Sequence, residues 1–244
     1  MIKTNRAVVL SYVIIFLIFS FSLMTKDSLA QKHATKELWT ESFDLQNCSF
    51  STIGKTKYFI LEPGYQLTLK GIDGNDSVVL VIAVLDETQK IGDVETRVVE
   101  EKETANGQIT EVSRNYFAIC TQTNSFFYFG EDVDIYKDGK IIDHGGSWRA
   151  YSENNRAGLM MLGMVLLGAR YYQEIAPGIA MDRAEIKSIT ETMQTPAGKF
   201  ENCLKVEETS SIETASKEYK FYAPGIGLIK DGDLLLTKYG YIIK

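Results

Sequence analysis

Four dipeptides constrain this chain more than any other feature: Asp73-Gly74, Asn106-Gly107, Asp138-Gly139 and Asp231-Gly232. Asp, Asn and Gly tolerate the positive φ of the tightest hairpin turns, so each pair set between β-rich runs marks two antiparallel strands joined by a short loop. The flanks fit. The segment 65–70 alternates before the first pair, and 77–85 follows it as an unbroken apolar run, the pattern of a strand buried on both faces. Segments 94–103 and 108–120 flank the second pair, 134–136 and 140–142 the third, 227–229 and 234–236 the fourth. Pro63-Gly64, Pro177-Gly178, Pro196-Ala197-Gly198 and Pro224-Gly225 punctuate further strand candidates at 169–175, 184–193, 200–207 and 217–222. No long helical pattern separates these runs, so the connections are hairpins and not parallel crossovers. The expected fold is mainly β: one strongly curved antiparallel sheet over residues 58–244, a half-barrel or an open-barrel meander.

The N-terminus is a separate object. Lys3 and Arg6 form a basic head, residues 7–24 carry no charge, and Ser28-Leu29-Ala30 supplies small residues on either side of a cleavage point between Ala30 and Gln31. This is the layout of a signal peptide over residues 1–30, which implies an exported, periplasmic or extracellular protein. The alternative is an inner-membrane anchor through residues 7–24. As a helix that stretch spans roughly 27 Å, just short of a bilayer core of about 30 Å. With the signal cleaved, no stable membrane span is expected. Residues 31–57 read as a poorly structured leader, polar and irregular in apolar spacing.

The chain has 244 residues, 26 Lys+Arg against 32 Asp+Glu, and a net charge of −6. That balance excludes a nucleic-acid binder, which needs cations to neutralise phosphates. Of the 3 Cys residues, Cys120 and Cys203 lie in strand-like segments and Cys48 in the leader. One disulfide is possible in an oxidising compartment, by any of three pairings. Cys120–Cys203 is the expected pair. The cysteine spacing fits no zinc site, and no metal or cofactor is expected.

Candidate chemistry is sparse. Glu131, Asp132, Asp134 and Asp138 suggest calcium, but Tyr136 interrupts the loop pattern, and charge on a hairpin edge also blocks edge-to-edge pairing. Asp143, His144 and Ser147 suggest a nucleophilic triad, but adjacent residues on one loop do not adopt that geometry, and no nucleophile elbow is present. No catalytic residue is assigned. A carboxylate-dependent hydrolase is the least favoured class. The most unusual stretch is Gly158 to Gly168, which holds Leu159, Met160, Met161 and Met164. Met adapts to irregular apolar partners. The stretch reads either as a lip over an apolar cavity, flexing at Gly158, Gly163 and Gly168, or as a core-filling crossover. Trp148, Tyr171 and Tyr172 flank it and complete the candidate ligand-binding set.

Several runs carry a resemblance: Phe127-Tyr128-Phe129-Gly130-Glu131-Asp132, Gly146-Ser147-Trp148, Tyr171-Tyr172-Gln173-Glu174, Thr195-Pro196-Ala197-Gly198-Lys199-Phe200 and Tyr222-Ala223-Pro224-Gly225-Ile226-Gly227-Leu228. Over about 58–240 the chain resembles an uncharacterised family of exported bacterial β-proteins. Its second half resembles the DUF3108-like group, whose sheets are similar to lipoprotein-carrier half-barrels. The resemblance implies an envelope location and a curved sheet, and it supplies no catalytic residues. The expected function is a non-catalytic binding module for an apolar ligand, such as a lipid or a lipoprotein tail. The alternative is a structural or protein-interaction module that contacts envelope proteins.

Overall fold

The computed structural model describes residues 38–215 and 217–242. The signal segment, its cleavage point at Ala30 and Gln31, and the alternative anchor 7–24 lie outside the described residues. Among the described residues no helix is long and apolar enough to cross a membrane. The one helical element there is a 3-10 turn, Leu45–Asn47.

Every other regular element among the described residues is a strand. The leader gives β1 (Phe50–Ser51) and β2 (Gly54–Lys55), and β3 (Ile60–Leu61) follows just beyond it. A meander of long strands follows: β4 (Tyr65–Asp73), β5 (Asp76–Ile91), β6 (Val94–Ala105), β7 (Gln108–Cys120) and β8 (Ser125–Lys137). Short strands come next: β9 (Lys140–Asp143), β10 (Trp148–Arg149), β11 (Arg156–Met161), β12 (Arg170–Tyr172) and β13 (Glu174–Ile175). The second meander is β14 (Asp182–Thr195), β15 (Gly198–Ser210), β16 (Lys217–Ala223), β17 (Gly227–Asp231) and β18 (Leu234–Tyr241).

The expected hairpins are present. At Asn106-Gly107 both residues have positive φ, 52° and 81°, the requirement of the type I′ loop that joins β6 to β7. The Asp73-Gly74 and Asp231-Gly232 signals sit one residue off their loops. Asp73 still pairs with Asp76, and Asp231 with Leu234, so the two-residue loops are Gly74-Asn75 and Gly232-Asp233.

The main sheet runs β12-β14-β15-β16-β17-β18-β4-β5-β6-β7-β8-β11-β13, with every neighbouring pair antiparallel. Its two outermost strands, β12 and β13, are separated in the chain by Gln173 alone. Arg170–Tyr172 pairs with β14 on one side, and Glu174–Ile175 pairs with β11 on the other. One continuous strip, 170–175, thus spans both edges and brings the sheet nearly to closure as a barrel. Closure removes most of the exposed edge that an open half-barrel would leave. Gly158 permits the tight fit. A Cβ there would lie 2.0 Å from the Gln173 carbonyl oxygen. Gly163 is similar, with a Cβ falling 2.1 Å from the Thr123 carbonyl oxygen. Both glycines therefore allow close backbone approach, which corrects their reading as flexing points.

The leader is also corrected. Its described part, from Leu38 onward, is pinned to the barrel at several points. Trp39 lies under the Arg183 guanidinium at 4.5 Å, and Thr40 bonds both Arg170 and Tyr172 through its backbone, covering the free edge of β12. Phe43 and Phe50 pack edge-on against Phe127, and Phe50 against Phe129. Next, β1 pairs with the end of β7, and a disulfide joins Cys48 to Cys120. The expected Cys120–Cys203 bridge is therefore wrong. Cys203 is a free, buried thiol on β15, whereas β1 lies directly beside Cys120. Beyond the disulfide, the chain crosses the rim at Thr52, whose carbonyl oxygen accepts from Arg97 Nε at 3.1 Å.

The hairpin β2–β3 then covers one end of the barrel. Phe59 packs on Phe117 and Phe126, from β7 and β8. The Tyr58 hydroxyl donates to the Asn202 carbonyl on β15, and the Gly225 N–H donates to the Lys57 carbonyl from the β16–β17 turn. These partners come from opposite sides of the sheet order, so the hairpin is a plug.

Candidate functional site

The site is the barrel interior, and its chemistry follows from strand register. Side chains alternate between the two faces of a strand, so residues paired across strands share a face. On one face Leu67 pairs with Ile82, and Ile82 with Glu101. On the other, Glu100 pairs with Arg114 and Arg114 with Asp132, a charged exterior row. The first face is the interior.

Toward the plug this interior is apolar. A cavity of about 70 Å³ is walled by Phe59, Ile60, Leu67, Val84, Phe117 and Leu228, with Tyr65, Tyr222 and Met160 among the remaining lining residues. Its far wall is ionic: Glu101, Lys220 and Asp231. Lys220 Nζ lies 3.0 Å from Glu208 Oε2 and 3.6 Å from Asp231 Oδ2. Gln173 Nε2 donates to Glu208 Oε1 at 3.0 Å and faces Met160 Sδ at 3.6 Å. The side chains of Lys220, Glu208 and Asp231 keep 22, 14 and 17% of their surface accessible although protein surrounds them. Accessible surface inside a sheet that nearly closes means a hollow interior. At the end opposite the plug, the hairpin tips enclose an acidic recess of about 350 Å³ lined by Asp73, Glu103, Glu218, Asp231 and Asp233. Asp231 lines both spaces.

Burial shapes the titration of this belt. It pushes the Glu101 carboxyl up to about 7; Lys220 opposes the shift, and Asp231, Glu111 and Glu208 reinforce it. Burial also carries Glu131 to about 7, partly offset by the Tyr128 hydroxyl and reinforced by Glu101, Glu111 and Asp182. Glu174 is raised by burial and by Glu131, Asp182 and Glu208, against Lys220. Acids with raised native values hold protons more tightly folded than unfolded. Their effect on stability is absent below the ordinary carboxylate range and grows as pH rises toward 7, where the native state must ionise them or keep them protonated at a cost. Asp132 and Glu207 have the opposite sign. Burial raises each, but hydrogen bonds outweigh it, from Tyr116 and Arg149 to Asp132 and from Lys217 and Tyr219 to Glu207. Their stabilisation is lost only below the ordinary carboxylate range. We therefore expect maximum stability in mildly acidic solution, with the melting temperature falling by about 5 °C between pH 5.5 and pH 8. A melting series by circular dichroism checks this; a melting temperature that rises over that interval contradicts it.

The seven residues singled out from sequence do not converge on this cavity. Met160 alone of them lines it. Leu159 and Met161 are core residues, 5% and 1% exposed. Met164 is 77% exposed, with Leu166 and Leu167 beside it, so this loop points outward and is not a lip. Trp148 is buried edge-on against Tyr128 at 5.4 Å. Tyr171 is buried with its hydroxyl unpartnered, and Glu208 is the charge that acts on it. Tyr172 is half-buried beside Arg183.

The loop candidates resolve likewise. His144 Nδ1 lies 2.8 Å from Asp134 and 3.1 Å from the Val133 carbonyl, while the Ser147 hydroxyl accepts from the Val133 N–H at 2.8 Å. Their side chains are thus each engaged with the strand, and the two residues meet through the backbone, where the Ser147 N–H donates to the His144 carbonyl at 3.2 Å. Among the described residues no group of three or more His, Cys, Asp or Glu side chains is placed to hold a metal. The residues that sequence reasoning missed are the plug aromatics Tyr58 and Phe59 and the interior Glu101, Glu208, Lys220 and Asp231. Searches against protein-family models, curated proteins and solved structures find no match to this chain.

Proposed function

We propose that this chain is an exported, non-catalytic binding barrel that holds the apolar part of a small ligand in the cavity behind the plug. The observation that carries this reading is the cavity itself, an apolar space that opens on polar side chains inside a nearly closed sheet. Its volume of about 70 Å³ is below the roughly 300 Å³ of common ligand pockets. A short alkyl chain or a single ring therefore suits it better than a whole lipoprotein tail. The Cys48–Cys120 disulfide supports export, because such bonds persist in oxidising compartments.

The test is native mass spectrometry on protein purified from its own host, with a paired variant. Val84, on the cavity wall and 5% exposed, is replaced by Phe to fill the space. The expected result is a small adduct on the wild type, lost from Val84→Phe while the melting temperature changes by no more than about 5 °C. A wild type that always arrives empty, or an adduct retained by the folded variant, overturns the reading.

A second reading is a protein-interaction module of the envelope. The exposed trio Met164, Leu166 and Leu167 supports it, since adjacent exposed apolar side chains mark contact sites. Cross-linking in intact cells through a photoreactive residue at position 166 distinguishes the two. A reproducible protein adduct supports interaction, and none leaves the ligand reading in place.

A further inference from the structure

The interior is more acidic than a purely apolar ligand needs. Around the belt stand Glu101, Glu131, Glu174, Glu208 and Asp231, and Lys220 is the cation that pairs with two of them. Among the described residues, Glu101, Glu131 and Glu174 have no cation within salt-bridge distance. Register sharpens the point. Glu103 pairs directly with Glu111, and Glu208 with Glu218. Like charges directly opposite one another in a sheet are destabilising, and a sequence that keeps two such pairs on one interior face is breaking a local rule where function is expected to be found.

An independent observation points into the same space. Tyr171 is 2% exposed and its hydroxyl has no partner. By register it shares a face with Ala184 and then Glu208. A buried hydroxyl left without a partner is costly, and here it stands beside a carboxylate.

We propose that the ligand is an organic cation, an apolar body ending in an ammonium group. The body lies in the cavity behind the plug. The ammonium sits at Glu101, the cavity-lining carboxylate with no cation within salt-bridge distance, in the same belt as Glu208 and Asp231, which Lys220 holds. Aromatic faces suit such a head group, and Tyr222 lines the cavity where it meets the belt. The carboxylates are spread around the wall and do not converge, as a compact divalent ion requires. The acidic recess at the open end draws cations in and disfavours anions.

This inference rests on the binding-barrel reading, and its test separates the two. Calorimetric titrations of the disulfide-intact chain use three probes of six carbons each: hexylammonium, hexanol and hexanoate. The expected result is that hexylammonium binds at least about tenfold more tightly than hexanol, with no measurable binding of hexanoate. In Glu101→Gln, hexylammonium weakens by about tenfold and hexanol is unchanged. If that variant does not fold, Glu218→Gln at the exposed mouth serves instead, with a weakening of about threefold. Equal binding of hexanol and hexylammonium overturns the charge selection and leaves the binding barrel standing. Binding of none of the three overturns both.

Discussion

Replacing Lys220 by Met is expected to destabilise the protein by about 3 kcal/mol, at the lower end of the cost of breaking a buried ion pair. The substitution keeps most of the side-chain volume and removes only the charge. Glu208 and Asp231 then lose their counter-ion at 3.0 and 3.6 Å, and Glu101 loses the one group that lowers its pKa. The residual accessibility of the three side chains lets water compensate in part, which is why the lower end applies. Urea denaturation at pH 7.5 measures the loss. It should shrink toward pH 5, as the unpaired carboxylates take up protons. The second substitution Glu208→Gln in the same chain should restore part of it, because it removes one of the two orphaned charges. A loss below about 1 kcal/mol at pH 7.5 would mean that Lys220 is solvated as a surface ion is, and the hollow, protein-walled interior would be wrong.

Removing the disulfide is the second large effect. Cys48 and Cys120 are 72 residues apart in sequence, and closing a loop of that length restricts the unfolded chain by about 4 kcal/mol. The variant Cys48→Ser with Cys120→Ser should lose about that much in equilibrium unfolding. Cys203→Ser provides the control, because that thiol is buried on β15 and forms no bridge. The loss should also be local. The disulfide holds the chain just before it crosses the rim to form the plug, so amides of 50–61 should exchange faster with deuterium than those of β5 and β6. A double variant as stable as the wild type, or a Cys203 variant that loses as much, contradicts this pairing.

The meander was legible because its signals are local. Turn dipeptides lie at the tips of β4–β5, β6–β7, β8–β9 and β17–β18, and the runs between them have strand chemistry. Closure was not legible, because it depends on one strip, 170–175, dividing its hydrogen bonds between β14 and β11, and no residue type records such a division. The leader was misread for a different reason. Its apolar residues follow no period, since it packs as an irregular cover and not as an element of the sheet. The informative signal lay elsewhere, in Phe126-Phe127-Tyr128-Phe129. All four are buried: Phe126 and Tyr128 face the interior beside Phe59 and Phe117, and Phe127 and Phe129 lie under Phe43 and Phe50. A strand that is apolar on both faces needs a cover on each, and the leader was the available segment. The interior charges escaped notice because Glu101, Glu208, Lys220 and Asp231 come from four different strands and read individually as ordinary polar positions. The Met-rich stretch was conspicuous in composition, yet its residues divide between core, cavity and solvent according to the local turn of the chain.

The strip 170–175 brings the sheet to closure around a hollow interior, and without that closure neither cavity nor belt exists. The most direct measurement is a nuclear Overhauser spectrum of the isotopically labelled chain, read at the two cross-strand contacts of that strip. The account predicts backbone contacts between Tyr171 and Ala184 and also between Glu174 and Ala157, in the same folded species. Contacts on one side with none on the other would mean an open half-barrel, and the enclosed cavity with its acidic belt would not exist.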